Sequence, residues 1–313
     1  MFRHLRPRTS IAIILSALVL AGALVGCGNS TASSDGRPTV IVTTSILGDL
    51  VAKVAGDQVS VEVLMPPGAD PHDFEASASQ SARMRDAALI VANGLGLEER
   101  LGSTIASAED DGITVLEIGP LLDPIDSPGT DRPDPHVWLD PERMARAATI
   151  VADSLATTTG LDRAGFDQRA AAYAADARAA GAEAERIIAG IPADQRLLVT
   201  NHDALEYFAD RFRLEIIGTV IPGGSTLAEP SAQDITDLVD TIRAAGVGAI
   251  FSETTTSSKL IQTVANELGR SVEVIELPTD SLGAPGTPTS TYPGLITTIA
   301  RLIADGLTSG ARG

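Results

Sequence analysis

"DRAGFDQRAAAYAADARAAGAEAERIIAGI", residues 162–191, is rich in Ala and Arg and runs without proline until Pro192. At 1.5 Å per residue such a stretch forms a helix of ~40 Å, longer than one small domain needs. Gly181 leaves open two ordinary helices broken at that point, because glycine inside a helix costs about 1 kcal/mol relative to alanine. On each side lie four short β-branched runs. Upstream these are "TVIVTT" (39–44), "VSVEVL" (59–64), "ALIVAN" (88–93) and "ITVLEI" (113–118); downstream they are "RLLVTN" (196–201), "LEIIGTV" (214–220), "VGAIFSE" (247–253) and "VEVIEL" (272–277). Several are apolar nearly throughout, as strands covered on both faces must be. Helical patterns fall between them, near 46–55, 77–87, 97–108, 141–157, 203–211, 231–245, 257–269 and 291–308. Such alternation predicts an α/β chain of parallel sheets flanked by helices. The long segment then reads as a strut between two lobes.

The amino terminus belongs to another device. Arg3, Arg6 and Arg8 precede an apolar run from Ile11 to Val25, the charged and apolar regions of a secretory signal. "LVGC" then sets Leu24, Val25 and Gly26 before Cys27, the only cysteine, in a pattern that resembles a bacterial lipobox. The alternative is an uncleaved anchor helix. Residues 1–26 are thus expected to be a lipoprotein signal peptide, and 27–38, which carry Ser, Thr, Gly and Asp, a lipid-attached tether. The mature chain has no cysteine pair for a disulfide, so its stability rests on buried apolar surface. Without the three arginines the 23 basic residues fall to 20 against 41 acidic ones, a net charge of −21. That makes nucleic acid a poor partner and is compatible with cationic ligands, although solubility alone explains such a charge equally well.

Of four histidines in the chain, His4 lies in the signal. "GADPHDFEA" and "DRPDPHVWLDP" place His72 and His136 in the same Asp-Pro-His tripeptide, and His202 follows the run "RLLVTN". His72 and His202 come just past the carboxyl ends of expected strands, where open α/β sheets bind ligands. A single such histidine is usually structural. Here every mature histidine takes a loop or helix-start position, and Pro71 and Pro135 hold φ near −65° before two of them. Three converging imidazoles make a site for zinc or a neighbouring divalent ion. Asp280, in "VEVIELPTDSLG", is the candidate fourth ligand, although an aspartate before Ser-Leu-Gly is also an ordinary turn residue. Asp70, Asp134, Glu98 and Glu253 are candidates to hold the second ring nitrogens, and Trp138 to pack beneath its loop and aim His136.

"VLMPPGADPHDFEAS", "DPHVWLDPERM", "LLVTNHDALEYFADRF", "IPGGSTLAEPSAQDI", "IFSETTTSSKL" and "LPTDSLG" together resemble the zinc/manganese solute-binding proteins of ABC transporters, the TroA/ZnuA type. The resemblance covers the chain after the tether, with the motifs in order. It implies two pseudo-symmetric α/β lobes, 39–160 and 192–313, joined by a backbone helix over 161–191, with one metal held between them. Carried over by position, His72 and His136 are ligands from the first lobe, His202 and Asp280 from the second. It also implies a membrane permease as partner and a monomer anchored by lipid to the outer face of the membrane. Manganese proteins of the family often place a glutamate where His202 stands. Three nitrogens and one carboxylate match zinc better, with manganese the alternative. Many zinc-specific members carry a His-rich loop between the first two ligands; here "GPLLDPIDSPGTDRPD" (119–134) is acidic and has no histidine.

Two other classes compete. A zinc-dependent exported hydrolase needs an open coordination position and a carboxylate base; the sequence has no HExxH helix and no nucleophile elbow, so no enzyme is expected unless Asp280 is a base. A surface adhesin would be expected to carry repeats or an added module.

Overall fold

The computed structural model describes residues 36–309. The expected signal peptide, Cys27 and the expected tether up to residue 35 lie outside the described residues. No described helix is long and apolar enough to cross a membrane.

The first lobe contains β1 (Thr39–Val42), α1 (Ser45–Ala55), β2 (Ser60–Val63), α2 (Ala78–Arg85), β3 (Leu89–Ala92), α3 (Gly102–Asp110), β4 (Val115–Glu117) and α4 (Pro141–Thr159). After α5 (Arg163–Ala189) come β5 (Leu197–His202), α6 (Glu206–Phe212), β6 (Glu215–Ile221), α7 (Ala232–Ala245), β7 (Ala249–Glu253), α8 (Lys259–Glu267), β8 (Glu273–Leu277) and α9 (Tyr292–Ser309). Both sheets are parallel and have the same order, β2-β1-β3-β4 and β6-β5-β7-β8. Val40 sits between Val61 and Leu89, as Thr200 sits between Thr219 and Phe251. β3 and β7 are buried at every position, whereas the edge strands β2 and β4 are partly exposed throughout. The apolar runs in the sequence therefore mark sheet centres.

α5 is one continuous helix. Asp162 caps it by accepting hydrogen bonds from the backbone of Ala164 and Gly165, and 27 residues carry it about 40 Å. Gly181 does not break it. A Cβ there would lie 3.0 Å from the Pro141 Cβ, so the missing side chain lets α5 close onto the first turn of α4. Alanines at 170, 174, 177, 180 and 184 form a buried stripe at helical spacing.

The helix is also more than a strut between separate bodies. One apolar cluster runs from Val40 and Leu50 through Phe166 and Ala177 on α5 to Leu295 and Ile299 on α9, so the two lobes share a core. Each sheet has a second cluster on its other face, Met84, Ile90 and Ile105 under α2 and α3, and Leu238, Ile250 and Val264 under α7 and α8. Relative motion of the lobes must deform packed side chains, which opposes wide opening.

α3 starts later than the expected 97–108. Gly94, Leu95 and Gly96, just before that stretch, all have positive φ, and Glu98 accepts the backbone N–H groups of Asn93 and Gly94, so residues 97–101 close a turn and the helix begins only at Gly102. Gly294, in the first turn of α9, marks another close approach, because a Cβ there would fall on the carbonyl oxygen of Pro288. Gly294→Ala is expected to destabilise the protein by about 1–3 kcal/mol, measured as a lower urea midpoint with metal stoichiometry unchanged.

Candidate metal centre

In each sheet the strand order reverses beside the first strand of its lobe, opening a crevice at the carboxyl ends of β1 and β3 and of β5 and β7. The two crevices face each other, and the three mature histidines lie between them.

The two Asp-Pro-His tripeptides form the same turn. Asp70 Oδ1 accepts the His72 backbone N–H at 2.9 Å, and Asp134 Oδ1 accepts that of His136 at 2.8 Å. An aspartate that binds its own backbone two residues on, with proline fixing φ between, gives the histidine one direction. His136 then leads through a 3₁₀ turn, Val137–Leu139, to Asp140, whose carboxylate accepts the Glu142 N–H and caps α4. His202 does not follow its strand, as the sequence suggested; it is the last residue of β5. The ladder itself therefore holds it.

These elements bring His72, His136 and His202 together, each no more than 1% exposed. Their ring centroids are 5.1–5.6 Å apart. One nitrogen from each lies within 4.8 Å of the others, and Nε2 of His136 is 3.2 Å from Nε2 of His202. Asp280, buried in the turn after β8, brings Oδ2 to 3.9 Å from His202 Nε2 and takes a hydrogen bond from Thr255 at 3.3 Å. Asp280, Glu253 and His202 make a second group of donor atoms within 4.8 Å.

The surrounding acids divide by role. Asp134 Oδ1 meets His136 Nδ1 at 2.7 Å, and Glu253 Oε1 meets His202 Nδ1 at 2.6 Å. Each bond keeps a proton on Nδ1 and turns Nε2 toward the other imidazoles. Asp70 and Glu98 hydrogen-bond to no ring. Asp70 is occupied by the His72 backbone and by Thr226 of the second lobe at 2.8 Å. Glu98 accepts from Thr43 Oγ1 at 2.8 Å, Asn93 N at 2.7 Å and Gly94 N at 3.1 Å, so it pins the turn after β3 to the end of β1. The acid nearest His72 is Glu99, with Oε1 3.4 Å from Nδ1 and no hydrogen bond formed. Sequence reasoning passed over it, since nothing in "GLEER" separates two adjacent glutamates. Trp138 packs its ring against His136 with centroids 5.2 Å apart and donates its indole N–H to Thr279 O at 2.8 Å. It thereby ties the first-lobe histidine to the turn that carries Asp280. Tyr207, also missed, donates to Asp134 O at 2.7 Å.

Burial sets the electrostatics. It pushes His72 down to about 2, aided by the neighbouring His136 and His202, and holds His136 well below the ordinary histidine value. Burial also works against the charged form of His202, but the charge and hydrogen bond of Glu253, with Asp280 and Asp70, outweigh it and raise that ring to about 9. Asp134 is raised by burial to about 7, and Asp280 is raised for the same reason. Two neutral imidazoles thus face one protonated ring. Several atoms here are buried without a hydrogen-bond partner, among them both His72 nitrogens, Asp280 Oδ1 and Glu253 Oε2. Buried polar groups of this kind cost free energy unless something satisfies them.

A divalent ion fits this donor set. Zinc–nitrogen bonds of about 2.0–2.1 Å at a tetrahedral centre put neighbouring nitrogens roughly 3.3–3.4 Å apart, close to the 3.2 Å between His136 and His202. In the acidic loop, Asp123, Asp126 and Asp131 are exposed, and Asp123 pairs with Arg146 at 2.8 Å. Only Asp134 of that segment enters the site.

The family profile described as zinc-uptake complex component A, periplasmic, matches residues 40–306. Zinc-binding protein TroA of Treponema pallidum is 31% identical over 292 residues, 91% of this chain and 94% of its own. Manganese-binding lipoprotein MntA of Halalkalibacterium halodurans is 30% identical over 284 residues, 90% and 92% of the two chains. The solved structure of the periplasmic zinc-binding protein TroA from T. pallidum superposes with a TM-score of 0.81 at 30% identity, covering 87% of this chain and 99% of that one. These relatives are named for metals they bind, not for a reaction. A shared profile, a shared fold and a buried histidine cluster agree, and the chain belongs to the ZnuA family of metal-uptake components.

Proposed function

We propose that this protein captures one divalent metal ion with His72, His136, His202 and Asp280 and delivers it to the permease of an ABC transporter, with zinc as the cargo. The observation that supports this most is the convergence of buried donor atoms with no hydrogen-bond partner, from loops of both lobes. Three nitrogens and one carboxylate are a zinc set, and no open position is kept for a catalytic water. Capture, not catalysis, follows: the ion sheds water as imidazoles and carboxylate replace it, and the loaded form is what the permease recognises.

Manganese is the second reading, favoured by one feature. Glu253 Oε2 is buried and unpartnered beside His202 and Asp280, and added oxygen donors suit manganese. Simple competition is a weak arbiter, because zinc outbinds manganese at most nitrogen-containing sites. Cobalt(II) substitution reads the coordination instead. Intense visible bands of a four-coordinate ion are expected; weak six-coordinate bands would favour the manganese reading. Metal analysis of protein purified without added zinc gives the cargo in the cell.

The proposal extends to the amino terminus. Residues 1–26 act as a signal peptide, Cys27 carries lipid and 27–38 tether a monomer, with lobes 39–160 and 192–313 around helix 161–191, to the outer face of the membrane. The lipoprotein name of the H. halodurans relative supports this. Cys27→Ser is expected to shift the protein from the membrane fraction to the soluble one, followed by immunoblot of both.

A further inference from the structure

The carboxylates beside the three imidazoles are not equivalent. Asp134 and Glu253 are buried and bonded to their rings. Glu99 is 38% exposed and stands 3.4 Å from His72 Nδ1 without a hydrogen bond. Among the described residues its carboxylate has no other ion pair or hydrogen bond. It also lines a cavity of about 580 Å³ between the lobes, whose other walls include Leu95, Ser127, Arg132, Pro135 and Gly223. Pro135 immediately precedes His136 in the chain and Glu99 stands beside His72, so the cavity wall includes neighbours of two proposed ligands and neither ring itself. Glu98 lines it too, but its oxygens are taken by Thr43, Asn93 and Gly94.

The histidines are 0–1% exposed, so a cation cannot reach them from solvent unless a neighbouring group moves. Glu99 is partly exposed, and among the described residues no hydrogen bond to its carboxylate opposes such a movement. Resting on the metal-capture reading above, we propose that Glu99 is the exchange ligand: it takes the hydrated cation in the cavity, passes it to His72, and receives it again on release. The chemistry is stepwise replacement. A carboxylate oxygen displaces one water from the ion, imidazole nitrogens displace the next, and the carboxylate lets go as the buried set closes. A hard, mobile anion suits the first step, and a dication beside Arg132, which also lines the cavity, needs a negative charge to linger there.

The test measures zinc association and dissociation rates by stopped flow, with the equilibrium affinity, for the wild-type protein, Glu99→Gln, Glu99→Asp and, as a control for general charge, Glu109→Gln. Thermal melts check folding; the half-exposed Glu99 leaves no large cavity when changed. Glu99→Gln is expected to slow association about tenfold or more and to slow dissociation as well, leaving affinity changed much less than either rate. Glu99→Asp should recover most of the loss, and the deficit should persist at high salt, where long-range attraction is screened. Association unchanged in Glu99→Gln, or a faster dissociation alone, overturns the exchange role; the latter assigns Glu99 to holding the His72 ring. A deficit matched by Glu109→Gln also overturns it. Absence of zinc binding by the wild-type protein is a separate result, which removes the metal-capture reading and this inference with it.

Discussion

His136→Ala is expected to weaken zinc binding by roughly 10²–10³-fold, since the 10–16 kcal/mol typical of a four-ligand zinc site comes to about 2.5–4 kcal/mol for each ligand. The structure gives reasons to expect the upper end. His136 Nε2 stands 3.2 Å from His202 Nε2, near the edge length of a tetrahedral zinc site, so this pair needs little rearrangement to coordinate. Removing the ring also strips Asp134 of its 2.7 Å partner and takes away the face against which Trp138 packs. Titration against a chelator of known affinity measures the loss, with exposed Asp126→Ala as the control. An affinity unchanged from wild type would remove His136 from the ligand set.

The second large effect is a pH dependence that extends above the usual histidine range. In the metal-free protein the His202 ring holds its second proton up to about 9, because Glu253 and Asp280 outweigh the effect of burial. The ion needs the lone pair that this proton occupies. Below that value each ion displaces a proton from His202, and below about 7 a further one from Asp280, so apparent affinity rises about tenfold per pH unit between 7 and 9, more steeply below, and flattens only above 9. Between pH 7 and 9 the gain is therefore roughly a hundredfold, whereas a histidine of ordinary value near 6.5 would give almost none over that interval. Glu253→Gln removes the charge that retains the proton and should move the plateau to lower pH. Chelator competition across pH, with binding heats in buffers of different ionisation enthalpy, measures both the slope and the proton released.

Much of the fold was legible because it depends on neighbours in sequence. Strand centres read as unbroken apolar runs, and alternation with amphipathic segments made both sheets parallel. Residues 97–101 have the same local character: the apolar spacing there suited a helix, but the left-handed run at 94–96 just before them and the Glu98 carboxylate, bonded back to Asn93 and Gly94, made them a turn. Gly181 was ambiguous for a different reason. Its helical cost is local, while its use, contact with Pro141, involves a residue forty positions away.

The candidate site divides along the same line. The Asp-Pro-His turns at 70–72 and 134–136 are local, since each aspartate binds a backbone amide two residues on, and the sequence alone determines how those histidines leave the chain. Tertiary structure decided which groups meet them. Glu253 against His202, Trp138 against Thr279, and Glu99 against His72 across a gap all depend on how separate loops are packed. Chain-local torsions and caps can be read from a few residues because their energies arise within a few residues. Which carboxylate faces which imidazole is set by the shared core that fixes one lobe on the other, and that arrangement is a property of the whole packed chain.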